Sequence, residues 1–132
     1  MFTIIFPVLN ERLRLESGVT RTVEYLRKIA FEDYEIIIVD NGSEDETPQI
    51  AEMLCQKYEK VRYERINVRG VGAAFRRGVE LSHGDVVGYM DIDLSTNIKH
   101  LGEAIHLFEI QPQIEYINGL SLIHISEPTR RR

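Results

Sequence analysis

YEIIIVDNGS, Tyr34 to Ser43, is the stretch on which the reading of the fold turns. Its apolar, β-branched run predicts a strand over Tyr34–Asp40, and Asn41-Gly42-Ser43 predicts the turn that ends it. The same grammar recurs along the chain. FTIIFP (Phe2–Pro7) reads as a buried strand with a proline stop, Val61–Arg65 as a third strand, and Val86–Met90 as a fourth that runs into Asp91-Ile92-Asp93. Between them, Val19, Val23, Leu26 and Ala30 recur at helical spacing and predict a helix over Ser17–Ala30 with Ser17 as its N-cap. Thr47–Tyr58 is a second helix with Pro48 in its first turn, Ala73–Ser82 a third and Ile98–Gln111 a fourth, before a fifth strand that begins over Ile114–Asn118.

Strictly alternating strands and helices build βαβ units, so the expected fold class is α/β. The expected architecture is a three-layer α/β/α sandwich around a mostly parallel sheet with right-handed crossovers. In such sheets ligands bind beyond the carboxyl ends of the strands. The polar, turn-forming residues gather at those ends: Pro7 to Glu11 after the first strand, Asp40 to Ser43 after the second, Arg69 to Gly72 after the third, and Asp91 to Asp93 after the fourth.

Composition narrows the function classes. The 132-residue chain is 43% hydrophobic and 28% charged, as expected of one globular domain with a real core. A net charge of -5 argues against nucleic acid as a partner. Cys55 is the single cysteine, which excludes an internal disulfide and a cysteine-based metal site. No apolar run approaches the roughly 20 residues of a membrane span, and the N-terminus lacks a signal-peptide pattern, so the chain reads as soluble and intracellular.

Asp91 and Asp93 are the sharpest candidates. Two residues apart on a strand, their side chains share a face and converge, and two carboxylates that close need a proton or a cation between them. Hard oxygen ligands on a loop rim suit Mg²⁺ or Mn²⁺, which take one or two carboxylates and complete their shell with phosphate oxygens. The structural alternative, an aspartate capping the next helix, is weakened because Ser95, Thr96 and Asn97 lie nearer to Ile98. Asp40 has two open readings: it bonds the amides of its own turn, or it accepts the imide N–H of a nucleobase. Gly70 and Gly72 precede a helix whose amides and dipole attract phosphate, with Arg69 well placed for an anion and at least one of Arg76 and Arg77 a plain surface residue. This is neither a Rossmann fingerprint nor a P-loop. His83 reads as a solvated turn residue, His100 and His106 do not share a helix face, and Cys55 reads as core.

Leu120 to Arg130, LSLIHISEPTR, reads as the translation of a transposon-end adapter from sequencing libraries. Met1–Gly119 is therefore expected to be the biological part of a gene cut short, with 120–132 a non-native tail set aside from the fold. Its terminal arginines are not a binding patch.

Taken together, FPVLNE, VDNGSEDET, RGVGAAFRRGVELSHGD and YMDIDLST resemble the family 2 glycosyltransferases, in the branch similar to polyprenyl-phosphate sugar transferases. The resemblance implies the GT-A fold and a nucleotide-sugar donor, UDP- or GDP-linked. It implies that Pro7, Asn10 and Glu11 form the first nucleotide loop, that Asp40 contacts the base, and that Arg69 and Gly70 flank the nucleotide. It implies a DxD pair in which Asp93 ligates Mg²⁺ or Mn²⁺ and Asp91 meets ribose or the metal. Asn41 stands where many relatives carry a second aspartate. The implied reaction transfers the sugar with inversion to a polyprenyl phosphate or glycan. The catalytic base and acceptor site are expected beyond the break in the chain, and so is any membrane association, at the cytoplasmic face. The rival readings are a haloacid-dehalogenase-like phosphatase, which would want Thr or Val at Ser95 and an N-terminal D-x-D, and a non-catalytic nucleotide-binding module.

Overall fold

In the computed structural model, which describes residues 1–68, 70–84, 86–93, 98–110 and 121–124, strands and helices alternate. The order is β1 (Phe2–Val8), α1 (Leu15–Lys28), β2 (Tyr34–Asp40), α2 (Thr47–Lys57), β3 (Val61–Arg65), α3 (Val71–Leu81), β4 (Val86–Tyr89), α4 (Ile98–Ile110) and β5 (Ser121–His124). The sheet runs β3-β2-β1-β4-β5. Its first four strands are parallel and β5 is antiparallel to β4.

Strand order and crossover hand together place the helices. Two successive right-handed crossovers carry the chain outward from β1 to β3 and leave α1 and α2 on one face; the return from β3 to β4 reverses direction and drops α3 onto the other. The cores follow. Ile4, Phe6, Ile36 and Ile38 pack with Val19, Leu26, Leu54 and Leu101 from α1, α2 and α4. Ile5, Ile37, Val39 and Val87 pack with Ala74 of α3. Even-numbered positions of β1 and β2 thus face one helical layer and odd-numbered ones the other, so both faces are apolar and the strands read as continuous hydrophobic runs. Each fully buried Ile or Leu contributes about 1.5–3 kcal/mol.

Several boundaries depart from the sequence reading; α3, for one, begins at Val71, two residues ahead of the expected Ala73. Helix α1 begins at Leu15, not Ser17: the Glu11 carbonyl accepts the amides of Arg14 and Leu15, and the completely buried Leu15 extends the apolar stripe one turn backward. Ser17 is inside the helix, and no side chain caps its start. At the other end Ala30 takes a left-handed φ of 58° while the Phe31 amide reaches back to the Leu26 carbonyl, a Schellman-type stop usually built on glycine. Strand β1 runs through Pro7 to Val8. On its β4 side the ladder has already ended at Ile5 opposite Tyr89, so the proline's missing N–H costs nothing there. The strand expected over Ile114–Asn118 lies outside the described residues. The fifth strand is instead Ser121–His124, from the segment set aside as a tail; the open edge of β4 offers backbone donors and acceptors to any short extended segment.

The lower end of the sheet, opposite the loop rim, is held by one buried carboxylate. Glu35 accepts hydrogen bonds from the Thr3 hydroxyl at 2.7 Å, from the His83 amide, and from Arg62 Nη2 at 3.0 Å, with His83 Nδ1 at 3.2 Å. His83 is exposed as expected, yet it is a partner of this carboxylate. Burial raises the Glu35 pKa, but the bonds from His83 and Thr3 and the charge of Arg62 outweigh it and hold the net value below 4.5.

Candidate functional site

Parallel β1 to β4 deliver their carboxyl ends to one rim, and the chain's direction reverses between β1 and β4. That switch point opens the crevice where α/β sheets bind ligands. The loops after β1 and β2 form one wall. They are sewn together by four hydrogen bonds: Asn10 N–H to Ser43 Oγ at 2.8 Å, Glu44 N–H to Asn10 Oδ1 at 2.8 Å, Glu11 N–H to Thr47 Oγ1 at 2.9 Å, and Arg12 N–H to Asp45 Oδ2 at 3.3 Å. Ser43 and Thr47 are buried, so their hydroxyls act as fixed acceptors in the wall. Asn10 adopts a left-handed φ of 54°, which its short polar side chain tolerates. The Glu11 carboxylate pairs with Arg14 at 2.7 Å, and Pro7 sits half-buried opposite Val39.

Asp40 ends β2 with its side chain wholly buried. Its Oδ1 accepts the Gly42 and Ser43 amides at 3.1 and 2.8 Å, which realises the turn-capping reading. Its Oδ2 accepts the Tyr63 hydroxyl at 2.6 Å and lies 3.5 Å from Arg65 Nη1. Burial, followed by the bond to Asp40 and its charge, pushes the Tyr63 phenol up to about 12. The Asn41 amide continues the ladder by donating to the Val8 carbonyl, and the buried Asn41 Oδ1 meets no hydrogen-bond donor among the described residues.

Asp91 and Asp93 follow β4, the strand that pairs with β1. Strand β4 ends at Tyr89, so Asp91 and Asp93 lie in the turn beyond it, and strand alternation does not bring them together as expected. Ile92, 3% exposed, is driven into the core against α1, and the two flanking carboxylates are turned to solvent. Gly18 makes this possible, because a Cβ there would lie 2.3 Å from the Ile92 carbonyl oxygen. Sequence reading missed Gly18; the signal was a glycine inside a well-patterned helix. The charge of Asp91 adds to burial in raising the Tyr89 phenol to about 12.

Gly70 caps α3 with a φ of 116° that side chains rarely adopt, and nothing crowds it. Arg69 lies outside the described residues, as do Ser95, Thr96 and Asn97. Arg77 bridges to Glu64 of β3 at 2.8 Å and Arg76 is exposed, in line with a structural reading of that pair. Cys55 is half-buried, its thiol raised by burial, as a core cysteine would be. Among the described residues no group of three or more His, Cys, Asp or Glu is arranged to hold a metal, so any ion here would rest on the two exposed aspartates. Two exposed carboxylates fit Mg²⁺ or Mn²⁺ when phosphate oxygens supply further ligands.

The model of "Glycosyl transferase family 2" matches residues 3–118. The mouse dolichyl-phosphate β-glucosyltransferase is 39% identical over 101 residues, 71% of this chain and 31% of that protein. The mannosyltransferase PcManGT of Pyrobaculum calidifontis, solved with GDP-Man and Mn²⁺, superposes with a TM-score of 0.64 at 21% identity over 81% of this chain and 32% of its own. The glucosyl-3-phosphoglycerate synthase of Mycobacterium tuberculosis, solved with Mn²⁺, UDP and glucosyl-3-phosphoglycerate, superposes with a TM-score of 0.53 at 26% identity over 69% of this chain and 33% of its own. The chain spans between 17% and 32% of the length of the curated relatives it matches. Among the described residues no helix is long and apolar enough to cross a membrane. A GT-A α/β sandwich and a family match over nearly the whole chain agree: the protein belongs to glycosyl transferase family 2.

Proposed function

We propose that this chain is the donor-binding part of a metal-dependent, inverting glycosyltransferase that moves a sugar from a UDP- or GDP-linked donor to a polyprenyl phosphate or glycan. Residues 1–119 constitute that part, residues 120–132 are an adapter-derived tail, and the fragment alone does not turn over. The observation that carries the reading is the pairing of an exposed Asp91/Asp93 turn with the sewn Asn10–Thr47 wall at one strand switch point.

In this reading Pro7, Asn10 and Glu11 line the nucleotide, Asp40 accepts an N–H of the base, and Arg69 and Gly70 flank the phosphates. Asp93, supported by Asp91, would hold Mg²⁺ or Mn²⁺. That ion supplies neutralising charge for the diphosphate leaving group. The protein's own contribution is positional: a rigid wall for the base and ribose, and two exposed carboxylates beyond β4. The lipid acceptor is suggested by the dolichyl-phosphate relative, and the ion by the Mn²⁺-bound neighbours.

Titration of the chain with UDP and GDP, with and without Mn²⁺, tests this. Metal-dependent binding that Asp93→Ala abolishes is the expected result. Hydrolysis of phosphate esters without any nucleotide-sugar, or binding indifferent to Asp93, would overturn it.

A further inference from the structure

A cleft of about 530 Å³ lies at the opposite end of the sheet from the crevice, a volume that suits a small ligand. Strand β2 spans the two: it starts at Tyr34, in the wall of this cleft, and ends at Asp40 on the rim, roughly 20 Å away at about 3.3 Å per residue. The last turns of α1 and α2 bring Arg27 and Lys57 to it, and Phe31, Tyr58 and Lys60 stand beside Tyr34 in the wall. Tyr34 is 8% exposed, yet its hydroxyl meets no hydrogen-bond partner among the described residues, where a buried phenol ordinarily finds one. The groups whose charges act on that phenol, Arg27, Tyr58 and Glu32, all line the cleft, so the hydroxyl opens into it. Elsewhere Arg12, Arg14, Arg62, Arg65 and Arg77 each pair with a carboxylate. Among the described residues Arg27 and Lys57 do not, although Glu32 and Glu59 stand at the same mouth.

We propose that this cleft is a binding site, separate from the donor crevice, for a small phosphate monoester with an aromatic body. The free polar groups of the wall are donors: the guanidinium of Arg27, the ammonium of Lys57 and the Tyr34 hydroxyl, a set that matches the oxygens of a phosphate. Burial raises the Tyr34 pKa, which keeps the O–H in place as a donor. The helix ends do not cancel the positive charge. Each C-terminus carries about half a negative charge, so α1 and α2 together offset one of the two cations and leave the other in surplus. Lys60 is engaged elsewhere, its ammonium donating to the Glu32 carbonyl and lying 4.7 Å from the centroid of the Tyr34 ring. Phe31 stacks on Tyr34 with centroids 6.3 Å apart, and with Tyr58 these rings form an apolar lining that inorganic phosphate would leave uncovered and an aromatic ester would bury. Nothing in this site depends on the donor or its metal.

Titration of the full chain with phenyl phosphate, inorganic phosphate and benzylammonium, without divalent metal and followed by NMR, tests this. Phenyl phosphate is expected to bind about tenfold more tightly than inorganic phosphate, with shifts at Phe31, Tyr34 and Tyr58 and none at Asp91 or Asp93. Arg27→Gln should weaken it about tenfold, the scale of one charge-assisted hydrogen bond, and Tyr34→Phe about threefold, with melting temperatures unchanged. Asp93→Ala should leave it untouched, which keeps a failure here apart from a failure of the donor reading. Inorganic phosphate as tight as phenyl phosphate would show that the rings take no part, and benzylammonium tighter than either would show that the helix ends set the sign of the site. Shifts confined to the rim, or Arg27→Gln binding as the wild type does, would place the anion elsewhere. Each of these overturns the site, as does a titration that never saturates.

Discussion

Gly18 of α1 and Ile92 of the turn after β4 touch so closely that the space for a methyl group does not exist: the absent Cβ would lie 2.3 Å from the Ile92 carbonyl oxygen and 2.8 Å from its Cδ1. A helix interior ordinarily gains about 1 kcal/mol when glycine becomes alanine. Here overpacking against backbone reverses the sign. Gly18→Ala should lose about 1–3 kcal/mol in denaturant unfolding and displace Asp91 and Asp93, weakening Mn²⁺-dependent nucleotide binding as well. An unchanged or raised melting temperature would show that the contact yields easily.

Glu35 should make the fold acid-sensitive. Its folded pKa is depressed, so its stabilising contribution is complete above the unfolded value near 4.5 and is lost as pH falls through the lower folded value. Glu35→Gln removes that titration and breaks the pairing with Arg62, at a cost of about 1–3 kcal/mol at neutral pH. The stability difference between wild type and variant should narrow below pH 4.5; a gap that widens on acidification would contradict the assignment.

Thr47 is completely buried and its hydroxyl accepts the Glu11 amide. Thr47→Val keeps the shape and strands that amide, which costs about 1–3 kcal/mol. Hydrogen exchange offers the local readout. The Glu11 amide should exchange faster in the variant, while amides in β3 stay protected.

Ala30 occupies a left-handed backbone position that glycine fills without strain. Releasing roughly 1–2 kcal/mol of that strain, less the roughly 0.5–1 kcal/mol of extra chain entropy that glycine brings, should leave Ala30→Gly slightly more stable, by up to about 1.5 kcal/mol. A clear loss of stability by thermal unfolding would mean that the Ala30 methyl is needed for packing.

The chain's local grammar carried much of this structure. The bounds of β2 and β3 fall where the sequence places them, because each apolar run is cut off by residues that favour turns. The start of α1 did not, since Ser17 looks like a cap and only tertiary burial of Leu15 overrides it. Strand order was illegible: nothing local to β4 says that it lies beside β1. The rim motifs named Asp40, Asp91 and Asp93, yet not what holds them. Tyr63 is 23 residues from Asp40, and Gly18 and Ile92 stand still further apart in the chain. The alternation Val61, Tyr63, Arg65, which shares a face with Asp40, was the available signal for the first of these.

The four bonds that sew the first two loops together also bear on how a ligand would arrive. Segments that order themselves around a guest lose entropy at that moment and bind with weaker affinity per contact. In this chain that loss falls on folding, because Asn10, Glu11 and Arg12 are already tied to Ser43, Thr47 and Asp45. One lip of the crevice is thus a finished mould. Association at that lip should resemble docking onto a rigid surface, with a heat-capacity change set by the area that ligand and wall bury against each other and nothing added by loop ordering.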